Sequence, residues 1–310
     1  MTIIGTTSTS NFYATAAEQL ASLQSQASAI STSISSGNQF TSASQAPAAA
    51  AQMRMLQLQD SQATVDTASA NKATANLQLA DSVMGQMIND INQARTLTNQ
   101  AATGTVSDKE RASIGTQLAQ IQGDLFNLAN SRDSNGNALF GGGVKGNAYA
   151  RDAAGNLSYV GAATSQALPI GGGQTVQSSM TGPEVLNITD AHGNATNLID
   201  ALGALATALK AGGAAAQTAA QDGLTTLANG LDATTTAQTV VGSREAWIAL
   251  SMENQTAQST ARATEESQVG DTDVSKAAIK LQQLTTALQA SQSCFVRLSG
   301  LSLFNIIGTN

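Results

Sequence analysis

Apolar and small side chains recur near the start of the chain at Tyr13, Ala16, Leu20, Leu23, Ala27, Ile30 and Ile34, in alternating steps of three and four. That spacing keeps one continuous stripe on an α-helix and predicts a coiled-coil-like helix over 11–36. The stretch SSGN at 35–38 supplies its stop, with Gly37 as the residue that tolerates a left-handed backbone. The far end repeats the pattern. Val274, Ala277, Leu281, Leu284, Leu288, Ser291, Phe295 and Leu298 keep the same steps, preceded by Asp271 and Asp273, which favour a helix start. Leu301, Leu303, Phe304, Ile306 and Ile307 then extend the apolar character into the last residues. Two matching stripes predict that the ends of the chain pair as antiparallel helices.

Between the ends the pattern predicts further long helices. From Pro47 to about Ala102 no second proline interrupts a polar–apolar alternation of helical period, and proline suits a first helical turn. Ser107 and Glu110 form an S-x-x-E capping box ahead of Ile114, Leu118, Ile121, Leu125 and Leu128, which predict a third helix. Texture changes at residues 141–196, where Gly141–Gly143, Gly171–Gly173 and two of the three prolines fall. NAYAR-DAAGN-LSYVG reads as a β-hairpin with a five-residue loop, and SQALPI, QTVQSSM and EVLNI read as short strands. Helical period returns at Leu198, Leu202, Leu205 and Leu209, and again over roughly 215–266 with Leu224, Leu227, Leu231, Val241, Ile248 and Met252. The expected fold is mainly α: a nested antiparallel bundle of long helices formed by both chain ends, with a small β-rich inserted domain. The expected division is 1–45 with 272–310, 46–140 with 197–271, and 141–196.

Charge sharpens this picture. Of 35 charged residues in 310, residues 1–50 hold one, Glu18, and residues 281–310 hold one, Arg297. A helix facing water carries charge on its outer face, so these two ends are expected to face other protein. The net charge is −7 and no Lys/Arg cluster occurs, which argues against nucleic acid and anionic membrane as partners. No apolar run approaches the roughly 18 residues of a membrane span. The N-terminus lacks a basic segment followed by a long apolar one, so no cleaved signal peptide is expected.

Candidate chemistry is sparse. His192, the single histidine, lies in the turn-like TDAHGNAT and reads as a solvated loop residue. FGGGVKG lacks the G-x-x-x-x-G-K-[ST] spacing of a phosphate-binding loop, and its glycines read as hinges. Cys294, the single cysteine, reads as a small apolar helical residue. Trp247 reads as a core residue beside Ile248 and Leu250, and the N-x-[ST] triplets at Asn156, Asn187, Asn194 and Asn254 are assigned no role. No enzyme activity, cofactor or metal is expected.

Three stretches carry a resemblance: ISSGNQFTSASQAPAAAAQM (34–53), TGTVSDKERASIGTQLAQIQGDLFNLANSRDSNGNALFGG (103–142) and TTALQASQSCFVRLSGLSLFN (285–305). They resemble the flagellin family of bacterial axial flagellar proteins, and within it the hook-associated members. Members of that family commonly place an acidic pair before the linker proline; here Ser44, Gln45 and Ala46 precede Pro47. The resemblance implies that the terminal helices form the inner layer of a tubular polymer. The expected assembly interface is Tyr13, Leu20, Leu23, Ile30 and Ile34 with Val274, Leu281, Leu284, Leu288, Phe295, Leu298, Leu301, Leu303 and Phe304. It further implies a junction role between hook and filament and self-assembly into a ring. The implied neighbours are a hook-associated protein on one side and flagellin on the other. It also implies export by the flagellar type III apparatus and an export chaperone on the C-terminal helix. A filament-forming flagellin, or a binding or adhesin module on a helical stalk, stays open on the sequence.

Overall fold

The computed structural model describes residues 4–153 and 155–307, without the side chains of 4–10, 12 and 298–307. In chain order the elements are α1 (Ile4–Ser36), α2 (Pro47–Ala102), α3 (Asp108–Ala129), β1 (Tyr149–Arg151), β2 (Leu157–Tyr159), β3 (Ala167–Gly171), β4 (Gln174–Gln177), α4 (Gly182–Leu186), β5 (Asn187–Thr189), β6 (Ala195–Asn197), α5 (Leu198–Ala211), α6 (Gly213–Gly270) and α7 (Val274–Ile307). The chain divides into two compact units, Met1–Ser61 with Ser259–Asn310, and Gln62–Gln258. The long helices α2 and α6 run through the division without a break.

The second unit is built on a shared apolar core. Along α2, Ala70, Ala73, Leu77, Ala80, Met84 and Met87 are buried. Their steps of three and four keep one face inward, and the alanines allow neighbouring elements close approach. Onto this core pack Leu118 and Leu125 of α3, Leu198 and Leu209 of α5, and Val241 and Ile248 of α6. The capping box forms as expected: the Ser107 hydroxyl accepts from the Glu110 backbone N–H at 3.3 Å, and Glu110 Oε2 accepts from the Ser107 N–H at 2.8 Å. Arg111, in the next position, is buried and closes the end of α2, donating to the carbonyls of Ala101 and Thr103 at 3.1 Å each.

Three antiparallel hairpins lie in the expected β-rich stretch, β1–β2, β3–β4 and β5–β6, each a separate two-stranded sheet. The first pairs Tyr149 with Tyr159 and Arg151 with Leu157 around the five-residue loop. These segments do not stand apart from the helices, because Phe140, Tyr149, Ile170, Val176 and Ile188 belong to the same core as Leu77 and Leu118. Burial pushes the Tyr149 hydroxyl well above the usual tyrosine range.

Three local expectations are corrected. EVLNI is not a strand throughout: Glu184, Val185 and Leu186 end α4, and only Asn187 and Ile188 enter β5. Thr181 with Glu184 forms a capping box and Pro183 sits in the first turn, so the helix start overrides the β-branched valine. TDAHGNAT turns the chain but also contributes Thr189 to β5 and Ala195–Thr196 to β6. Trp247 is 43% exposed, because the buried stripe of α6 runs through Val241 and Ile248 and leaves position 247 at its edge.

Candidate assembly interface

The first unit contains the two terminal helices as an antiparallel pair. At one end the rings of Tyr13 and Phe295 meet edge to face, 5.6 Å between centroids, a geometry that aromatic pairs favour. At the other end the chain is closed by backbone hydrogen bonds. The Gln39 N–H donates to the Gly270 carbonyl and the Thr272 N–H to the Gly37 carbonyl, each at 2.7 Å. Gly37, at φ +74°, makes the turn that brings these groups together. Asp273 starts α7: its carboxylate accepts from the Lys276 backbone N–H at 3.0 Å and pairs with the Lys276 ammonium at 3.0 Å. These contacts hold the Asp273 carboxyl below the usual range.

Burial follows the sequence stripe closely. Tyr13, Ala16, Leu20, Leu23, Ala27, Ile30 and Ile34 are each half-buried, while almost every position between them is exposed. On α7, Ala277, Leu281, Leu288, Ser291 and Phe295 are half-buried and Leu284 is 7% exposed. Val274 departs from the stripe at 54% exposure. The α7 backbone stays helical through Ile307, but the side chains of Leu298, Leu301, Leu303 and Phe304 lie outside the described residues.

This pair of helices is therefore unfinished as a core. Leu284 alone among the described stripe residues is fully buried, and Ile279 and Val296 stand 59% and 67% exposed off the stripe. Fully burying such a side chain is worth roughly 1.5–3 kcal/mol, so much of the available stabilisation is not realised within one chain. The outer face of α1 is polar but almost uncharged, with Glu18 as the sole charged residue of the helix. Hydrogen bonds on the outer faces are mostly local, from Thr and Ser hydroxyls to carbonyls one turn earlier, as for Thr15, Thr32 and Ser293.

Two side-chain ties join α2 and α6 within the same unit. Arg262 Nε donates to Asp60 Oδ1 at 2.7 Å, and Gln52 Nε2 donates to Glu265 Oε1 at 2.6 Å. Periodicity did not point to either, since both join positions about two hundred residues apart.

The second unit offers a cleft of about 450 Å³ between α5, the start of α6 and the β5–β6 turn. Its titratable groups are Asp190, His192, Asp200 and Asp222, and His192 Nε2 lies 3.8 Å from Asp222 Oδ2. Both partners are well exposed, as expected of a solvated loop histidine. Among the described residues no group of three His, Cys, Asp or Glu is placed to hold a metal ion, and no helix is long and apolar enough to cross a membrane. Cys294 is exposed on α7.

Comparison with known proteins finds flagellar relatives. Residues 7–145 match the family model described as the bacterial flagellin N-terminal helical region. Over 109 residues the chain is 37% identical to flagellar hook-associated protein 3 of Salmonella typhimurium, covering 35% of this chain. That match spans 34%, about a third, of the relative's length. Among solved structures, flagellar hook-associated protein 3 of Legionella pneumophila superposes with a TM-score of 0.66 at 11% identity, over 70% of this chain and 98% of the other. A putative flagellar hook-associated protein of Vibrio parahaemolyticus also reaches 0.66, at 18% identity, over 73% and 100%. Residues 7–145 are thus similar to the N-terminal helical region of the bacterial flagellins, and the fold is the one that the hook-associated protein structures share.

Proposed function

We propose that this chain is a structural junction subunit of the bacterial flagellum, assembling between hook and filament through its terminal helices. The observation that carries the reading is the half-covered, nearly uncharged stripe on α1 and α7, in a chain whose matched relative is a hook-associated protein. The stripe is completed by copies of the same chain arranged in a ring. A hook-associated protein adjoins it on the hook side and flagellin on the filament side. The role is one of packing, with no chemical step. The interface comprises Tyr13, Leu20, Leu23, Ile30, Ile34, Leu281, Leu284, Leu288 and Phe295, with Leu298, Leu301, Leu303 and Phe304 added from the sequence. Val274 is assigned to contacts with another copy, given its exposure here.

Such a subunit works outside the cell. It reaches that place through the flagellar export apparatus, its C-terminal helix covered by an export chaperone until assembly. Electron microscopy of cells lacking the gene tests the reading. The expected result is hooks without filaments and flagellin released to the medium. Filaments of normal length on such cells overturn it, and filaments grown from the purified chain alone would instead make it the filament subunit.

A further inference from the structure

The cleft between α5, the start of α6 and the β5–β6 turn has no part in the function proposed above. Its volume of about 450 Å³ lies within the roughly 300–1,000 Å³ of small-molecule sites. The floor is apolar, made by Leu202 and Leu205 of α5 and Leu227 of α6. Space remains above it because neighbouring positions are small. Ala204 and Ala208 of α5 line the cleft where longer side chains would fill it. Gly223 of α6 is buried, and a Cβ there would stand 2.7 Å from Leu205 Cδ2. Glycine weakens a helix interior, and here its bare Cα gives Leu205 its place against α6.

The rim is acidic. Asp190, Asp200 and Asp222 line the cleft, and among the described residues no lysine or arginine does. The three carboxylates differ. Asp190 accepts from the Asn194 side-chain amide at 3.0 Å and from the backbone N–H groups of Asn194 and His192 at 2.8 Å each. Those bonds hold its carboxyl below the usual range and keep it ionised. Burial pushes Asp200 up, opposed by Arg151 from outside the lining. Asp222 is the one left over. Its carboxylate makes no hydrogen bond among the described residues, and His192 Nε2 at 3.8 Å is beyond hydrogen-bond distance. An apolar floor beneath a carboxylate with no close partner suits a ligand that is apolar at one end and cationic at the other.

We propose that this cleft binds a small organic cation, an ammonium group on an apolar stem. The stem lies on Leu202, Leu205 and Leu227, and the ammonium pairs with Asp222 under the field of Asp190 and Asp200. Each half of the ligand answers one half of the cleft. A neutral ligand of the same shape would cover the floor and leave Asp222 without a partner. An anion of that shape would meet three carboxylates. The cleft therefore discriminates by charge at its rim and by apolar shape at its floor.

The single histidine of the chain lines the cleft, so its imidazole NMR signals report on the site in the full chain. Three ligands of one shape separate the contributions: 4-phenylbutylamine, 4-phenylbutan-1-ol and 4-phenylbutanoate. The amine is expected to shift the His192 signals saturably and to bind about 2–5-fold more tightly than the alcohol, the effect of one partly exposed charge pair. The carboxylate is expected not to bind. Asp222→Asn should erase the preference for amine over alcohol while leaving the apolar contribution. Ala204→Leu, at an exposed helical position, should fill the cleft and abolish binding of both with the fold retained by circular dichroism. No saturable shift with the amine overturns the proposal, as do equal affinities for amine and carboxylate or binding unaffected by Ala204→Leu. Self-association on concentration that Asp222→Asn abolishes, with no binding of the free amine, would give the cleft to a lysine of a second copy and overturn the small-ligand site. None of these outcomes bears on the junction role, which the gene deletion tests.

Discussion

At the scale of single residues, one five-residue device appears three times: Asp133–Asn137, Asp152–Asn156 and Asp190–Asn194, each reading D-x-x-G-N. In every copy the first Asp N–H donates to the carbonyl of the closing Asn, and the Gly N–H donates to the Asp carbonyl. The Asp carboxylate takes the backbone N–H and the side-chain amide of that Asn. The glycines carry φ of +79°, +89° and +84°, which a side chain would strain. Asn156 and Asn194, given no role on the sequence, thus close turns. Asp133 is the buried copy. Burial alone would raise its pKa, but bonds from Asn137 and Asn135 hold it below the usual range. A depressed folded pKa contributes stability above the unfolded value of about 3.9 that is lost as pH falls through the folded one. Asp133→Ala is expected to cost about 1–3 kcal/mol, since buried donors lose their acceptor, measured by urea denaturation at neutral pH. The wild type should lose that advantage on acidification below about pH 4, narrowing the gap between the two proteins; a gap independent of pH contradicts the assignment.

At the scale of elements, the helices were legible and the hairpins only partly so. The capping box at Ser107, the proline at position 47 and the stop at Gly37 mark ends that the structure keeps, because caps are local and need nothing from distant residues. Replacing Ser107 by Ala should lower stability by about 0.5–2 kcal/mol, and a change below the precision of a urea titration would show the cap to be redundant with Arg111. The terminal stripes were legible for the same reason, since period alone fixes which face is covered. Their axial register was not, because a three–four pattern fits itself at every heptad. The structure sets it: the alignment defined by Tyr13 with Phe295 and Asn38 with Asp271 brings Leu20 opposite Leu288. Cysteines at those two positions, with Cys294 replaced by Ser, should form an intrachain disulfide under mild oxidation. A pair shifted by one heptad, about two turns, Leu20 with Leu281, should not. The division into compact units left no mark in the sequence, since it falls inside continuous α2 and α6 where neither glycine nor proline interrupts. Strand β6 was missed because three residues of Ala, Thr and Asn carry no β signal of their own and pair only through the Asp190 turn.

For the molecule as a whole, the decisive contrast is between a finished core and an unfinished one. The second unit buries a continuous apolar cluster drawn from residues 70 to 248. The terminal helices keep one described stripe residue fully covered and leave the remainder half open. Under the proposed function their stabilisation is deferred to assembly, in which binding of other copies would shift the folded state by mass action. The apolar run of Leu298, Leu301 and Phe304 continues this segment with Arg297 as its single charge. Replacing those three together by Ser removes apolar area worth roughly 1.5–3 kcal/mol per side chain if fully buried, repeated in each subunit of the proposed ring. The expected protein is soluble, with an unchanged denaturation midpoint for the second unit, and cells carrying it shed their filaments and do not swim. Global unfolding of the variant would place these side chains in a core that one chain completes by itself. Normal swimming would mean that the stripe is closed by something other than neighbouring copies. Only loss of assembly with the core intact matches a subunit whose ends are completed by its neighbours.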